Sequence, residues 1–232
     1  MLFIGIPIEY YLIVVLPTVV IAGIASIIVK STFGKYSKVM TTKGYTGAQA
    51  AAEMLSRAGI HDVEIRRVSG MMTDYYNPLK RTLGLSDDVY DGQSIAAIGV
   101  ACHEAGHAIQ HAERFIFLSL RSTLVPVTSV CGSAYVWVLI ASGFFHSKSL
   151  MIVGLVLCIA TLLFALVTLP VEWDASRRAK LAMTNRGFLS QKENFAAAKV
   201  LNAAFLTYLA AALTAMISVL YWLALLAGGS RD

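Results

Sequence analysis

The sequence predicts a mainly α membrane protein with a small α+β domain on one side of the bilayer. Three observations carry this. The 232 residues are 57% hydrophobic and only 14% charged, with a mean hydropathy of +0.67, too apolar for an ordinary soluble domain. The apolar residues gather in four charge-free runs, 10–29, 122–145, 150–171 and 203–227. Each reaches the ~20 residues needed to cross ~30 Å of hydrocarbon, so four transmembrane helices are expected. The intervening segments carry the charges, turn residues and short periodicities of a folded domain.

The first run is expected to be a retained anchor. Only Glu9 lies upstream of it, while Lys30, Lys35 and Lys38 follow, which is the wrong charge order for a cleaved signal despite the Ala22-Gly-Ile-Ala-Ser26 stretch. Thr46-Gly-Ala-Gln49 reads as a capping box that opens a helix through Ala51, Met54 and Leu55, ending near Gly59. Val63 and Ile65 alternate with polar residues, as in a short strand. Residues 69–78 read as a loop, with Gly70 and Asn77-Pro78 as turn signals. Leu79, Arg81, Leu83 and Leu85 alternate with Lys80, Thr82 and Gly84 in a second strand. That strand either pairs with an extended ligand along its edge or is a plain sheet strand. Asp91 is the expected N-cap of a long helix that runs on into the second apolar run, with Pro126 kinking or locally breaking the span.

Lys and Arg set the orientation. Lys30, Lys35, Lys38 and Lys43 follow the first span, and Arg114 and Arg121 precede the second. Arg177, Arg178, Lys180, Arg186, Lys192 and Lys199 separate the third and fourth, whereas the opposite side has only Lys148 and Arg231. Both termini are therefore expected outside, with 30–120 and 172–200 inside. The net charge of +5 is accounted for by basic residues beside membrane ends and calls for no nucleic acid. Cys102, Cys131 and Cys158 form no C-x-x-C and imply no disulfide framework. The chain divides into an anchor (1–29), a domain-forming region (30–121), spans two and three (122–171), an inside segment (172–201), and the last span with its tail (202–232).

Chemistry concentrates in Val100-Ala-Cys-His-Glu-Ala-Gly-His-Ala-Ile-Gln-His111. His103, Glu104 and His107 match H-E-x-x-H. On a helix, residues four apart share a face about 6 Å apart along the axis. Two imidazoles so placed can converge on one Zn²⁺, with Glu104 beside it to take a proton from a water. Between residues 95 and 110 Glu104 is the only acidic group. Cys102 points about 100° away from His103 and is a poor ligand.

A catalytic zinc needs a third protein ligand. A carboxylate at a membrane boundary is costly without a partner. Glu172, at the inner end of the third run, is the expected ligand. Asp174 lies roughly 200° round the same helix. It is expected to orient a ligand histidine or to pair with Arg177 or Arg178. His111 is about 12 Å along the axis from His103, too far for the same tetrahedral ion. It is a pocket or ligand-orienting residue, or simply a polar group near the membrane surface.

The motifs Thr46-Gly-x-x-Ala50, Asp74-Tyr-Tyr-Asn-Pro78, Leu83-Gly-Leu-Ser-Asp-Asp-Val-Tyr90, His103-Glu-Ala-Gly-His-Ala-Ile-Gln110 and Val171-Glu-Trp-Asp-Ala-Ser-Arg-Arg-Ala179 extend over nearly the whole chain. In them the sequence resembles the bacterial membrane zinc metallopeptidases of the YugP type and, more distantly, the HtpX-type membrane proteases. The resemblance implies a small α+β zincin-like cytoplasmic catalytic domain on a bacterial inner-membrane anchor. It implies one Zn²⁺ per chain held by His103, His107 and Glu172, with Glu104 as base. Many zincins with a glutamate ligand carry an aspartate four residues later. Here that position is Ser176, which leaves Asp174 as the candidate replacement.

On this reading Glu104 shuttles a proton from water to the leaving amine. Tyr75, Tyr76, His61 and Arg177 are the candidates for a second oxyanion donor. The expected substrates are membrane or membrane-proximal proteins, and no motif calls for ATP. Two rivals stay open. One is an intramembrane protease of the site-2 type, against which Glu113 and Arg114 follow the motif closely. The other is a non-catalytic zinc-binding scaffold, whose sites are usually four-coordinate and rich in cysteine.

Overall fold

The computed structural model describes residues 2–3, 6–185 and 187–228. Arg186 and Arg231, two of the charges used for orientation, lie outside them. In chain order, β1 (Leu2–Phe3) and β2 (Ile6–Pro7) form an antiparallel pair. There follow α1 (Ile8–Tyr10), a π-helical stretch (Tyr11–Val15) and α2 (Leu16–Tyr36), then α3 (Gly47–Arg57). Next come β3 (Glu64–Val68), β4 (Tyr75–Asn77), β5 (Thr82–Ser86), α4 (Asp87–Tyr90) and α5 (Ile95–Ala112). Three long helices close the chain: α6 (Ile116–Phe144), α7 (Lys148–Asn185) and α8 (Gln191–Gly228).

Among the described residues, Ile8–Tyr36, α6, α7 and α8 are long and apolar enough to cross a membrane. At most 28% of the most apolar window in any of them is buried inside the protein. Large apolar side chains such as Trp137 and Phe144, both 71% exposed, therefore cover a surface that lipid tolerates and water does not. The chain is a multi-pass, mainly α membrane protein. The expected third and fourth spans are segments of longer helices, because the helical pattern continues through the charged residues flanking each run.

The chain forms two units. One comprises Met1–Ser26, Leu120–Leu169 and Thr207–Asp232. Its core gathers Val14, Leu139, Leu155, Cys158 and Val219 around Tyr10 and Trp222, whose rings lie 5.3 Å apart. The other comprises Ile27–Ser119 and Pro170–Leu206 and contains every residue of the H-E-x-x-H region.

In this second unit α3 starts at the expected capping box. Thr46 Oγ1 accepts from the Gln49 N–H at 3.2 Å, and Gln49 Oε1 accepts from the Thr46 N–H at 3.0 Å. The helix stops before Gly59, whose φ of +72° suits a residue without a Cβ. The sheet has the order β3-β5-β4, with β3 parallel and β4 antiparallel to β5. This corrects two expectations. Tyr75–Asn77 is an edge strand, where 69–78 read as loop. The strand expected over 79–85 begins at Thr82 and is central and buried at all five positions. Both its edges are taken, so it cannot pair with an extended ligand. Its apparent alternation misled because Thr82, Gly84 and Ser86 are small enough to be enclosed.

The motif helix α5 is capped by Ser94, whose Oγ accepts from the Ala97 N–H at 3.1 Å. Asp91 instead closes α4. Nor does α5 run on into α6. It ends in a Schellman motif, with the Phe115 N–H on the Gln110 carbonyl at 2.9 Å and the Arg114 N–H on that of His111 at 3.1 Å. Arg114 takes the left-handed conformation there, with φ of +54°. The break falls at these residues and not at Pro126, through which α6 continues. Nearly every residue of α5 from Ile95 to Gln110 is buried, which explains its long uncharged run.

Candidate active site

Helices α5 and α7 meet where Gly106 faces Ala175. A Cβ on Gly106 would lie 2.8 Å from the Ala175 carbonyl oxygen and 3.2 Å from its Cα. This contact sets the backbones close enough for one side chain from each helix to touch. His103 and His107, one turn apart, project beside it. Their rings lie 4.8 Å apart at 81° to one another. From α7, Glu172 is 1% exposed and turns Oε2 between them, 3.1 Å from His103 Nε2 and 3.6 Å from His107 Nε2.

The lone-pair atoms of these three residues all lie within 4.8 Å of one another, the one such group among the described residues. Ligands about 2.0–2.1 Å from a tetrahedral zinc are roughly 3.3 Å apart, so the donor set fits that ion in both chemistry and spacing.

The tautomer of His107 strengthens the fit. Gln110 is fully buried, and its Nε2 donates to the Val171 carbonyl at 2.8 Å and to Asp174 Oδ2 at 3.0 Å. Both partners only accept, so the amide nitrogen must face them. That leaves Gln110 Oε1 against His107 Nδ1 at 3.0 Å. An amide oxygen cannot donate, so neutral His107 carries its proton on Nδ1 and presents a bare Nε2 to Glu172. Two lone pairs facing across 3.6 Å repel unless a cation or a proton sits between them.

His103 is held differently. Its Nδ1 lies 3.2 Å from Ser176 Oγ, one turn beyond Glu172 on α7. The residue that departs from the family pattern thus still touches a candidate ligand. Asp174 reaches the candidate ligands only through Gln110. It also accepts from Arg177 at 3.0 Å and from Arg178 Nε at 2.6 Å, and Arg178 pairs in turn with Glu113 at 2.8 Å. The expected ion pairs with Arg177 and Arg178 are both present, and Asp174 meets neither histidine directly.

Glu104 has no hydrogen-bond or ion-pair partner among the described residues. Burial pushes its carboxyl above the ordinary range, against the pull of His107 and His103. Of the candidate oxyanion donors, Tyr76 is committed to His111, its OH 2.8 Å from Nδ1, and Arg177 to Asp174. Tyr75 lays its ring over Gly84 in β5, and His61 is exposed. His111 stands apart from the His103–His107–Glu172 group. Burial and, behind it, the Arg81 guanidinium pull its pKa below the ordinary value.

The geometry joins naturally to what the whole chain is similar to. A family model described as "Putative neutral zinc metallopeptidase" matches residues 11–227. The chain belongs to this zinc metallopeptidase family. It is also 42% identical over 204 residues to the "Putative membrane protease YugP" of Bacillus subtilis (strain 168), covering 88% of this chain and 90% of that protein. No solved structure matches it. Sequence reasoning passed over Gln110, Gly106 and the contact made by Ser176. The usable signal was spacing: Gln110 is three residues after His107, Ser176 four after Glu172, and Gly106 lies on the helix between the two histidines.

Proposed function

We propose that the protein is a membrane-embedded zinc-dependent endopeptidase acting on membrane or membrane-proximal proteins, with its active site facing the cytoplasm and both termini outside. His103, His107 and Glu172 hold one Zn²⁺, and Glu104 is the general base. The observation that carries this is the meeting of Glu172 Oε2 with the Nε2 atoms of both histidines at 3.1 and 3.6 Å.

A Zn²⁺ held by His103, His107 and Glu172 would supply a Lewis acid for the scissile carbonyl and would lower the pKa of a water toward ~7. Glu104, one residue round from His103, takes the proton of the attacking water and delivers it to the leaving amine. Gln110 keeps the His107 proton on Nδ1, and Ser176 steadies the His103 ring. The free edge of β4 offers backbone groups to an extended substrate, the role that β5 cannot fill.

The site-2 alternative is disfavoured because α5 is not among the helices long and apolar enough to span a membrane. A structural zinc site is disfavoured because Cys102 packs into the apolar core and brings no fourth ligand. The deciding experiment compares wild type with Glu104→Gln, zinc content held equal, on a membrane-anchored substrate. Proteolysis is expected to fall by at least about 10²-fold, the scale of general-base catalysis. Undiminished cleavage would end this mechanism.

A further inference from the structure

A second cavity, of about 430 Å³, lies on the same unit and is not used by the chemistry above. Its lining includes Tyr76 and His111, joined by their 2.8 Å hydrogen bond, together with Arg81, Arg114 and Asp62. Both arginines have a left-handed backbone, with φ of +48° at Arg81 and +54° at Arg114. Glycine is the default in that conformation, and Arg114 fills the helix-terminating position where glycine is commonest. Placing a long side chain there costs stability that glycine would not. Here it is done twice around one cavity. Arg81 pairs with Asp62. The Arg114 side chain has no hydrogen-bond or ion-pair partner among the described residues. Two guanidinium groups therefore face one carboxylate, and the cavity has a positive charge unmatched by its own walls.

Its place on α5 ties it to the active site. Glu104 and His111 are seven residues apart, which brings them within about 20° of the same direction and about 10 Å apart along the axis. Ala108, between them, also lines the cavity. The strip of α5 that carries Glu104 thus runs into the cavity, and Tyr76 of the edge strand β4 forms the facing wall. An extended peptide advances ~3.3 Å per residue and covers this distance in about three residues.

We propose that this cavity is a carboxylate-binding subsite of the peptidase. In it Arg114, with Arg81 beside it, receives an acidic side chain or a free C-terminus about three residues from the scissile bond. This rests on the proteolytic reading and adds to it a substrate class: peptides with a carboxylate at a fixed distance from the cleavage point.

The test uses the full-length chain in nanodiscs and paired peptides that differ only by Glu against Gln at each position around the cleaved bond. Wild type is expected to favour Glu by roughly tenfold in kcat/KM at one position about three residues away, the scale of a charge-assisted hydrogen bond. Amidated and free-acid peptides of different lengths separate a side-chain carboxylate from a C-terminal one. Arg114→Gly suits the left-handed backbone and removes only the side chain, so a rise in Tm shows that the fold is kept. In this variant the Glu-to-Gln ratio is expected to fall to about one. A second arm measures anisotropy of the same peptides, fluorescently labelled, on Glu104→Gln. Tighter binding of the Glu peptide there, with no cleavage of any peptide by wild type, would sink the proteolytic reading and leave the subsite standing. Cleavage with equal rates and equal binding for Glu and Gln peptides, or a Glu preference that survives Arg114→Gly, would overturn the subsite.

Discussion

Gln110 touches His107 through the oxygen of its amide, Oε1 to Nδ1 at 3.0 Å, because its nitrogen is claimed by the Val171 carbonyl and by Asp174. One buried amide thereby fixes a proton on the far side of an imidazole and ties α5 to α7. Gln110→Met keeps the volume and removes the amide. It leaves the His107 Nδ1–H without its acceptor and the Val171 carbonyl without its side-chain donor, while Asp174 Oδ2 keeps Arg178 Nε, and His107 is free to change tautomer. Zinc affinity is expected to fall 10- to 100-fold, as for other residues that orient metal ligands, at about the 1–3 kcal/mol destabilisation of an unsatisfied buried group. Chelator competition and thermal unfolding measure the two. Unchanged affinity would show that the tautomer is set by something else.

Ser176 acts on the other histidine, through a hydroxyl 3.2 Å from His103 Nδ1. A neutral hydroxyl at that distance orients a ring more weakly than the Asp174–Gln110 relay. Ser176→Ala is expected to weaken zinc binding by less than Gln110→Met does, in the lower part of the range for ligand-orienting residues. Ser176→Asp places a carboxylate at the same nitrogen and is expected to tighten it. The order of the three variants in a calorimetric titration is the readout, and a larger loss in Ser176→Ala than in Gln110→Met would reverse the assignment.

The spans and the H-E-x-x-H helix were legible because composition and the 3.6-residue period act locally. The capping box at Thr46 was legible for the same reason. Glu172 was within reach because a carboxylate beside an apolar run demands a partner. What escaped notice depends on packing between distant segments. Ser94 rather than Asp91 caps α5 because the segment around Met40 bridges to Ser94 and fixes where the helix begins. Strand β5 is central because β4 pairs back on it, and Asp74 pins the open end of that hairpin by accepting from the Ser86 N–H at 2.8 Å. The first pairing has no signature in the nearby sequence, and the second has only the Asn77-Pro78 turn signal, which marks a turn without saying that Tyr75–Asn77 is a strand.

Gly106 supplies a test of how closely α5 and α7 must approach. A methyl group there would sit 2.8 Å from the Ala175 carbonyl oxygen, a backbone atom that cannot swing away. Gly106→Ala is expected to cost about 1–3 kcal/mol through overpacking, outweighing the helix propensity it gains. It should also move the histidine pair away from Glu172 and weaken zinc binding. Gly99→Ala, on the same helix, is the control. Its Cβ would meet the Ala197 methyl at an ordinary 3.7 Å. It is expected to leave zinc affinity alone and to raise stability by roughly 0.5–1 kcal/mol. Equal effects at the two sites, by thermal unfolding and zinc titration, would remove any special role for the Gly106 contact.

Removing the metal should reveal a pH dependence with a definite sign. Burial works against a charged His107, but Glu172, with Glu104 behind it, outweighs burial and raises its pKa above the ordinary histidine value. A group whose pKa is raised on folding contributes stability that is complete below its unfolded value of ~6.5 and is lost as pH rises through the folded value. The His107 contribution to the stability of the zinc-free protein should therefore grow on acidification from pH 8 toward 6, while His111, whose pKa is lowered, contributes with the opposite sign. With zinc present the proton becomes a competitor for Nε2, so the stabilisation that zinc confers should shrink over the same interval. The difference in Tm with and without chelator is thus expected to be largest at the alkaline end. In Glu172→Gln the negative charge that raises the His107 pKa is gone, and the zinc-free protein should lose its acid stabilisation. A zinc-dependent Tm shift that stays constant with pH would mean that His107 Nε2 does not bind both proton and metal.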